Sequence, residues 1–264
     1  MEFLSAEANF AQAAQLLFGP IREALSKSAN PAVIEKFALH GTTNIALVNE
    51  EGVLMVTDGR AATADLSIGT ESFEKMFPLD GHSLIAIAGI AGIGIPMAKL
   101  LRAQLSFEAD DNEGAYIPAE TKANIIAQRV RANFSLLLSH QLVVEPIFAT
   151  YDKNGSGSGG KAFKIVPDGT ILPESGYASC GSGSRTASCV IKLMLSVLKK
   201  SPQEITLAQA EHLTVLSLMH AHQTDAGTGM NIYMRKITSA GISQIPEAEI
   251  AEIVSRINQG KVVP

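Results

Sequence analysis

His40-Gly41-Thr42-Thr43 stands directly before the apolar run Ile45-Ala46-Leu47-Val48, and Asp58-Gly59-Arg60-Ala61 and Glu74-Lys75-Met76-Phe77 follow it. A Gly-Thr junction alone carries little information. Here an acid lies sixteen residues beyond Thr42 and a lysine thirty-three beyond it. A threonine hydroxyl is a weak nucleophile at neutral pH and needs a neighbour to take its proton. Cleavage between Gly41 and Thr42 would leave Thr42 with both a hydroxyl and a free α-amine, and such an amine titrates near neutrality. Threonine with its own N-terminal amine is one of the convergent pairings of nucleophile and base. The stretch therefore predicts that the chain cuts itself before Thr42.

Downstream of this junction the pattern is that of strands. Residues 44–49 and 52–57 are apolar runs around Asn49-Glu50-Glu51-Gly52, a hairpin turn. Ser83 to Gly89 is a third run, short enough for a buried strand. Helical stretches are expected from about Gly94 through Leu105 and from Ala119 to Leu138, where Ala123, Ile126, Val130, Phe134 and Leu137 recur at helical spacing. Leu142 to Tyr151 returns to strand character, and Lys164 to Val166 pairs with Thr170 to Leu172 across Pro167-Asp168-Gly169. Ser184 to Leu198 and Leu207 to His220 read as helices, and Ile232 to Ile237 as a closing strand. The tail from Pro246 to Asn258 carries Ile250, Ile253, Val254 and Ile257 on one helical face, suited to its own domain or to a neighbour. Upstream, Ala6 to Leu17 and Ile21 to Ser28 are short helical pieces broken by Gly19-Pro20 and Asn30-Pro31, with too little core to form a domain. Periodicity by itself gives a mixed α and β domain.

The chain has 264 residues, 46% of them hydrophobic, which is ample for a buried core. A net charge of −5 without a basic block argues against nucleic-acid binding. Cys180 and Cys189 have neither a zinc spacing nor a disulfide framework, which fits reduced thiols in a cytoplasmic protein. No apolar run approaches a membrane span, and the N-terminus lacks the positive region of a signal peptide.

Further segments add to the opening stretch: Gly52-Val53-Leu54, Thr57 through Ala61, Ala88-Gly89-Ile90-Ala91-Gly92, Gly181-Ser182-Gly183-Ser184 and Asp225-Ala226-Gly227-Thr228-Gly229. Each is weak alone. Their order and spacing together, over nearly all of residues 40 to 240, resemble the proteasome β-subunit precursors, closest to the bacterial type in which His-Gly-Thr-Thr precedes the first mature strand. The resemblance implies an α+β fold, the four-layer α-β-β-α sandwich of N-terminal-nucleophile hydrolases. It also implies that residues 1–41 are a propeptide removed by self-cleavage and that 42–264 form the catalytic domain.

The same resemblance assigns roles. Thr42 would be the nucleophile of a threonine endopeptidase. Lys75 matches the lysine that lowers the hydroxyl pKa and relays its proton, although one extra residue stands between Asp58 and Lys75, within Ala62 to Thr70. Asp58 would hold that lysine as a hydrogen-bonded ion pair. Ser182 and Asp225 match residues that hydrogen-bond the Thr42 amine, and Thr228 takes a position usually held by Ser or Thr. Gly89 would give the backbone N–H of an oxyanion hole. Ala61, Phe73, Phe77, Ile87, Ala91 and Ile95 would line or border the pocket for the residue before the cut. All six are apolar, so cleavage after hydrophobic residues is expected.

Other features are discounted. Gly155 to Ala162 comes near a phosphate-binding loop but ends in Ala where Ser or Thr must hold Mg²⁺. His220 and His222 are two apart, which is not the i, i+4 spacing of a helical metal pair, and His212 lies further off. Glu108, Asp110, Asp111 and Glu113 lack the spacing of a calcium loop. Lys199-Lys200 reads as a solvated helix end. No metal or other cofactor is expected.

The partners implied by the resemblance are a homo-heptameric β ring stacked on a second β ring, flanking α-subunits, an ATP-dependent unfoldase ring and unfolded protein substrates. Two rival readings remain. A related self-assembling peptidase of the heat-shock-locus V type, without α-subunits, is shorter and lacks so long a leader. A structural ring subunit that never processes would be expected to lack Thr42 or Lys75, and this chain has both.

Overall fold

The computed structural model describes residues 39–63, 68–111, 116–135, 143–153 and 159–261. The helices expected in the leader, part of the acidic cluster and the first half of the Gly155–Ala162 segment lie outside the described residues.

The first elements are β1 (Leu39–His40), β2 (Asn44–Asn49), β3 (Gly52–Asp58), β4 (Ala61–Thr63), β5 (Ile68–Thr70), β6 (Met76–Asp80) and β7 (Ser83–Gly89). Helices α1 (Ala91–Asp111) and α2 (Ala119–Arg131) follow, then β8 (Val144–Tyr151), β9 (Gly160–Ile165), β10 (Ile171–Glu174) and β11 (Tyr177–Cys180). The chain continues through α3 (Ser184–Leu198), α4 (Leu207–Thr224), β12 (Ile232–Thr238), β13 (Gly241–Gln244) and α5 (Glu247–Asn258). Two five-stranded antiparallel sheets result, in the orders β11-β2-β3-β12-β13 and β10-β9-β8-β7-β6.

Every residue of β2 and β3 is buried, because each strand is central and covered on both faces. Alternation sorts their side chains into layers. Ile45, Leu47, Leu54 and Val56 pack with Ile191, Leu213 and Leu218 of α3 and α4. Ala46, Val48, Val53 and Met55 face Leu84, Ala86, Ile147 and Ala149 across the gap between the sheets. On the far side, Ile85, Ile87, Phe148 and Phe163 pack against Met97, Leu101, Ile126 and Val130 of α1 and α2. These three cores define four layers, an α+β sandwich with, among the described residues, two helices outside one sheet and three outside the other. Ile250 and Ile253 of α5 belong to the first of these cores, with α3 and α4, so the C-terminal helix closes its own domain.

Some boundaries differ from the sequence pattern. α1 starts at Ala91, ahead of Gly94, because Ile90 C=O already accepts from the Ile93 and Gly94 amides. It also runs six residues beyond Leu105. α2 ends at Arg131, where the Ala132 amide donates to the Gln128 carbonyl and the Asn133 amide to the Val130 carbonyl; residues 136–138 of the expected helix lie outside the described residues. The Glu50-Glu51 hairpin and the β9–β10 pair match expectation, with Asn49 opposite Gly52 and Ile165 opposite Ile171.

Candidate active site

Local structure delivers the polar residues to one end of the β2–β3 sheet. Gly41 adopts φ +88°, and a Cβ there would meet Gly227 Cα at 2.6 Å, so the turn into β2 requires glycine. β3 ends at Asp58. The Gly181-Ser182-Gly183 turn joins β11 to α3 and presents Ser182. α4 begins with a capping box, in which Thr206 Oγ1 accepts from the Gln209 amide at 3.2 Å and Gln209 Oε1 accepts from the Thr206 amide at 3.2 Å. Its other end is capped by Asp225, which is thereby brought beside Ser182.

Asp58 organises the centre. Its Oδ1 accepts from Lys75 Nζ at 2.8 Å and from the Thr43 amide at 2.7 Å. Its Oδ2 accepts from the Arg60 and Gly229 amides, both at 2.9 Å. Lys75 Nζ also donates to the Gly41 carbonyl oxygen at 3.3 Å, and the Thr42 hydroxyl donates to that same oxygen. Thr42 is buried in the intact chain. Burial pushes the Lys75 ammonium below the usual lysine range, and the Asp58 carboxylate opposes that shift without cancelling it.

A second network holds the other side of Thr42. The Thr42 amide donates to Ser182 Oγ at 3.3 Å, and Ser182 donates to Asp225 Oδ2 at 2.6 Å. Thr228 Oγ1 donates to the same Asp225 oxygen at 2.6 Å. A hydroxyl has one proton, so the 2.7 Å contact between Thr43 and Thr228 is donated by Thr43. The Gly227 amide completes Asp225 at 3.1 Å on Oδ1.

All six apolar residues expected around a pocket, Ala61, Phe73, Phe77, Ile87, Ala91 and Ile95, line one cleft with Gly41, Thr42, Lys75 and Gly89. Gly89 has φ +98°, and a Cβ there would strike Val143 O at 2.1 Å, so the strand can pass the cleft only as glycine. Every residue singled out from the sequence thus converges on this end of the molecule. Sequence reasoning missed Thr43, whose amide and hydroxyl join the two networks, and Arg60, which binds Glu71 at 2.9 Å and the Ala226 carbonyl at 2.8 Å. Adjacency to the Gly-Thr junction was the one signal available for Thr43.

One of the discounted groups borders the site. His222 Nδ1 contacts the Thr228 carbonyl at 2.8 Å and so braces the loop after Asp225. Among the described residues, no group of three or more His, Cys, Asp or Glu could hold a metal ion. Burial pushes the Cys180 thiol up to about 12, which makes it an inert core residue. No helix among the described residues is long and apolar enough to cross a membrane.

The family described as proteasome subunit matches residues 38–237. The chain is 35% identical over 228 residues to the proteasome subunit beta of Stackebrandtia nassauensis, covering 83% of this chain and 78% of that one. It is 33% identical over 227 residues to the proteasome subunit beta of Streptomyces griseus, with 83% and 77% covered.

Proposed function

The chain belongs to the proteasome subunit family, in its bacterial β type, and on that premise we propose that it is a threonine endopeptidase activated by its own cleavage at Gly41–Thr42. One observation carries this reading. The Thr42 hydroxyl and the Lys75 ammonium meet on a single carbonyl oxygen, that of Gly41.

Thr42 Oγ attacks the Gly41 carbonyl carbon, and Lys75 stabilises the charge that develops on its oxygen. The Gly41–Thr42 C–N bond breaks, the hydroxyl proton ends on the departing nitrogen, and an ester links Gly41 to Thr42 Oγ. Water hydrolyses the ester to give a Gly41 carboxylate, a free Thr42 hydroxyl and a free Thr42 amine. Residues 1–41 are then a propeptide and 42–264 the catalytic domain. In the mature chain the amine takes the hydroxyl proton, Thr42 Oγ attacks a substrate peptide, and water releases the acyl-enzyme. Lys75, held by Asp58, lowers the hydroxyl pKa. Ser182, Asp225 and Thr228 orient and tune the amine. The Gly89 N–H receives the substrate oxyanion.

The apolar lining of the cleft supports cutting after hydrophobic residues. Family membership supports assembly into rings with other proteasome subunits. We extend this to paired heptameric β rings between α rings, fed with unfolded chains by an ATP-driven unfoldase in the cytoplasm.

The test is the intact mass and N-terminal sequence of the chain assembled with its α-partner, beside a Thr42→Ala variant. A new N-terminus at Thr42 in the wild type alone is the expected result. A wild-type chain that stays uncut in the assembled particle would sink the reading.

A further inference from the structure

We infer that Arg235, acting through Glu74, is a positioning residue for Lys75 and for the wall of the adjoining cleft; the inference rests on the reading of Thr42 and Lys75 given above. Residues 71–75 lead into β6 without regular strand pairing of their own. Their backbone is tied by the Phe73 amide to Gly59 O at 2.8 Å and by Lys75 O to the Ile87 amide at 3.1 Å. The rest of the attachment comes from side chains. Glu71 pairs with Arg60 at 2.9 Å, and Ser72 Oγ accepts from Asn231 at 3.2 Å. Glu74 Oε1 lies 2.5 Å from an Arg235 guanidinium nitrogen, an ion pair without hydrogen-bond alignment.

The alternation of this segment gives the last pair its meaning. Phe73, Lys75 and Phe77 line the cleft, whereas Met76 packs in the core between the sheets. Glu74 shares the parity of Met76 and turns the same way. On β12, Tyr233 and Ile237 pack on that inter-sheet core while Ile232 and Met234 face the helices. Arg235 therefore reaches Glu74 from the inter-sheet face of β12. Consecutive residues are thus anchored in opposite directions, Glu74 to Arg235 and Lys75 to Asp58 at 2.8 Å. Two opposed anchors fix how the segment is rolled about its own axis. With only one, it can turn and carry Phe73, Lys75 and Phe77 with it.

The pair is partly open to solvent, with side-chain exposures of 15% for Arg235 and 38% for Glu74, and ion pairs of that kind add little to stability. Its consequence is directional. The contact most sensitive to a roll is the 3.3 Å one from Lys75 to Gly41 O, since the shorter Asp58 pair holds the lysine tip from the other side. One loosening should therefore slow self-cleavage and alter side-chain preference at the cleft together.

The experiment compares full-length wild type, Arg235→Met, Glu74→Gln and the reversed pair Glu74→Arg with Arg235→Glu, each assembled with the α-partner. Three quantities are read: the rate at which the Thr42 N-terminus appears, the pH profile of that rate, and the ratio of kcat/KM for peptides with leucine or alanine before the cut. Each single variant is expected to process about 10- to 100-fold more slowly, with a shifted pH profile and a smaller leucine preference. The reversed pair should recover most of the rate. A merely structural role would lower the yield of folded particle and leave the pH profile and peptide ratio unmoved, which would overturn the assignment. If Arg235→Met fails to assemble, Glu74→Gln carries the same test at a half-exposed position. Wild-type processing beside unaffected variants would overturn the Arg235 role alone, whereas a wild type that never exposes Thr42 would overturn the threonine reading beneath it.

Discussion

Strand β6 has a buried lysine paired with an aspartate at each end, and the two pairs have different uses. Lys75, just before the strand, meets Asp58 at 2.8 Å, and Asp80, its last residue, meets Lys122 at 2.8 Å. Both lysines are buried. Lys122 gives a further hydrogen bond to Ser83 Oγ at 3.0 Å and lies 5.7 Å from the centre of the Tyr116 ring, so its neighbours are ordinary parts of the fold. Lys75 gives its further hydrogen bond to the carbonyl of a peptide bond beside a hydroxyl, at the edge of a cleft. Burial and pairing alone therefore do not distinguish a reactive lysine from a structural one. The third partner does.

The sharpest way to break this comparison is to remove each ammonium. Lys75→Met should slow the appearance of the Thr42 N-terminus by about 10²- to 10⁴-fold, as loss of a proton-handling and charge-stabilising group does. Lys122→Met should instead lower the melting temperature, by the equivalent of about 1–3 kcal/mol for a broken buried hydrogen-bonded pair. Its assembled fraction should still process at the wild-type rate. Abolished processing in folded Lys122→Met would mean that the two ends of β6 are one functional unit.

The two ends also differed in how far they could be read from sequence. The long central strands were legible because full burial makes continuous apolar runs of β2, β3 and β7. β6 was not, because Met76-Phe77-Pro78-Leu79-Asp80 is short and contains proline. Proline is tolerated there since β6 is the edge of its sheet. The start of α1, placed near Gly94 from the pattern, was hidden by Gly92, because glycine is a poor helix former. At the Thr42 end, a family resemblance tied Thr42, Asp58, Lys75, Ser182 and Asp225 together, and the structure brings all of them within hydrogen-bonded networks. Thr43, Arg60 and the Glu74–Arg235 pair escaped. Their partners are backbone amides, carbonyls or side chains as much as 185 residues away, and no local pattern announces such contacts.

A smaller effect sharpens the contrast at the Asp80 end. Burial alone would raise the Asp80 carboxyl, but hydrogen bonds from Lys122 and the His82 amide outweigh it and hold the group below its ordinary 3.8. A carboxyl whose folded value is depressed stabilises the fold above its unfolded value, and that contribution fades as pH falls through the folded one. Asp80→Asn should therefore be slightly less stable than wild type at neutral pH, by under about 1 kcal/mol, with the gap closing below about pH 4. Melting temperatures measured across that range decide it. A gap that persists unchanged in acid would show that Asp80 acts through shape and not through charge.

At the Lys75 end, the finest probe leaves every polar group in place and alters only the cleft. Gly94 lies in α1 behind Ile87, and a Cβ added there would meet Ile87 Cγ2 at 2.6 Å. Ile87 is branched at Cβ and packed in the core beneath α1, so it cannot absorb the contact by a simple rotation. The side chain must be displaced, and its free side is the cleft it lines with Ile95 and Phe77. Gly94→Ala should therefore narrow the space for the residue before the cut while leaving Lys75, Asp58 and Gly41 untouched. For a peptide with leucine at that position, KM should rise by about tenfold relative to one with alanine, with kcat little changed. Self-cleavage should proceed normally, because Gly41 occupies the position before the cut and has no side chain to exclude. Equal losses on both peptides would point to a disturbed Lys75, and the separation of cleft from chemistry at this end of the molecule would fail.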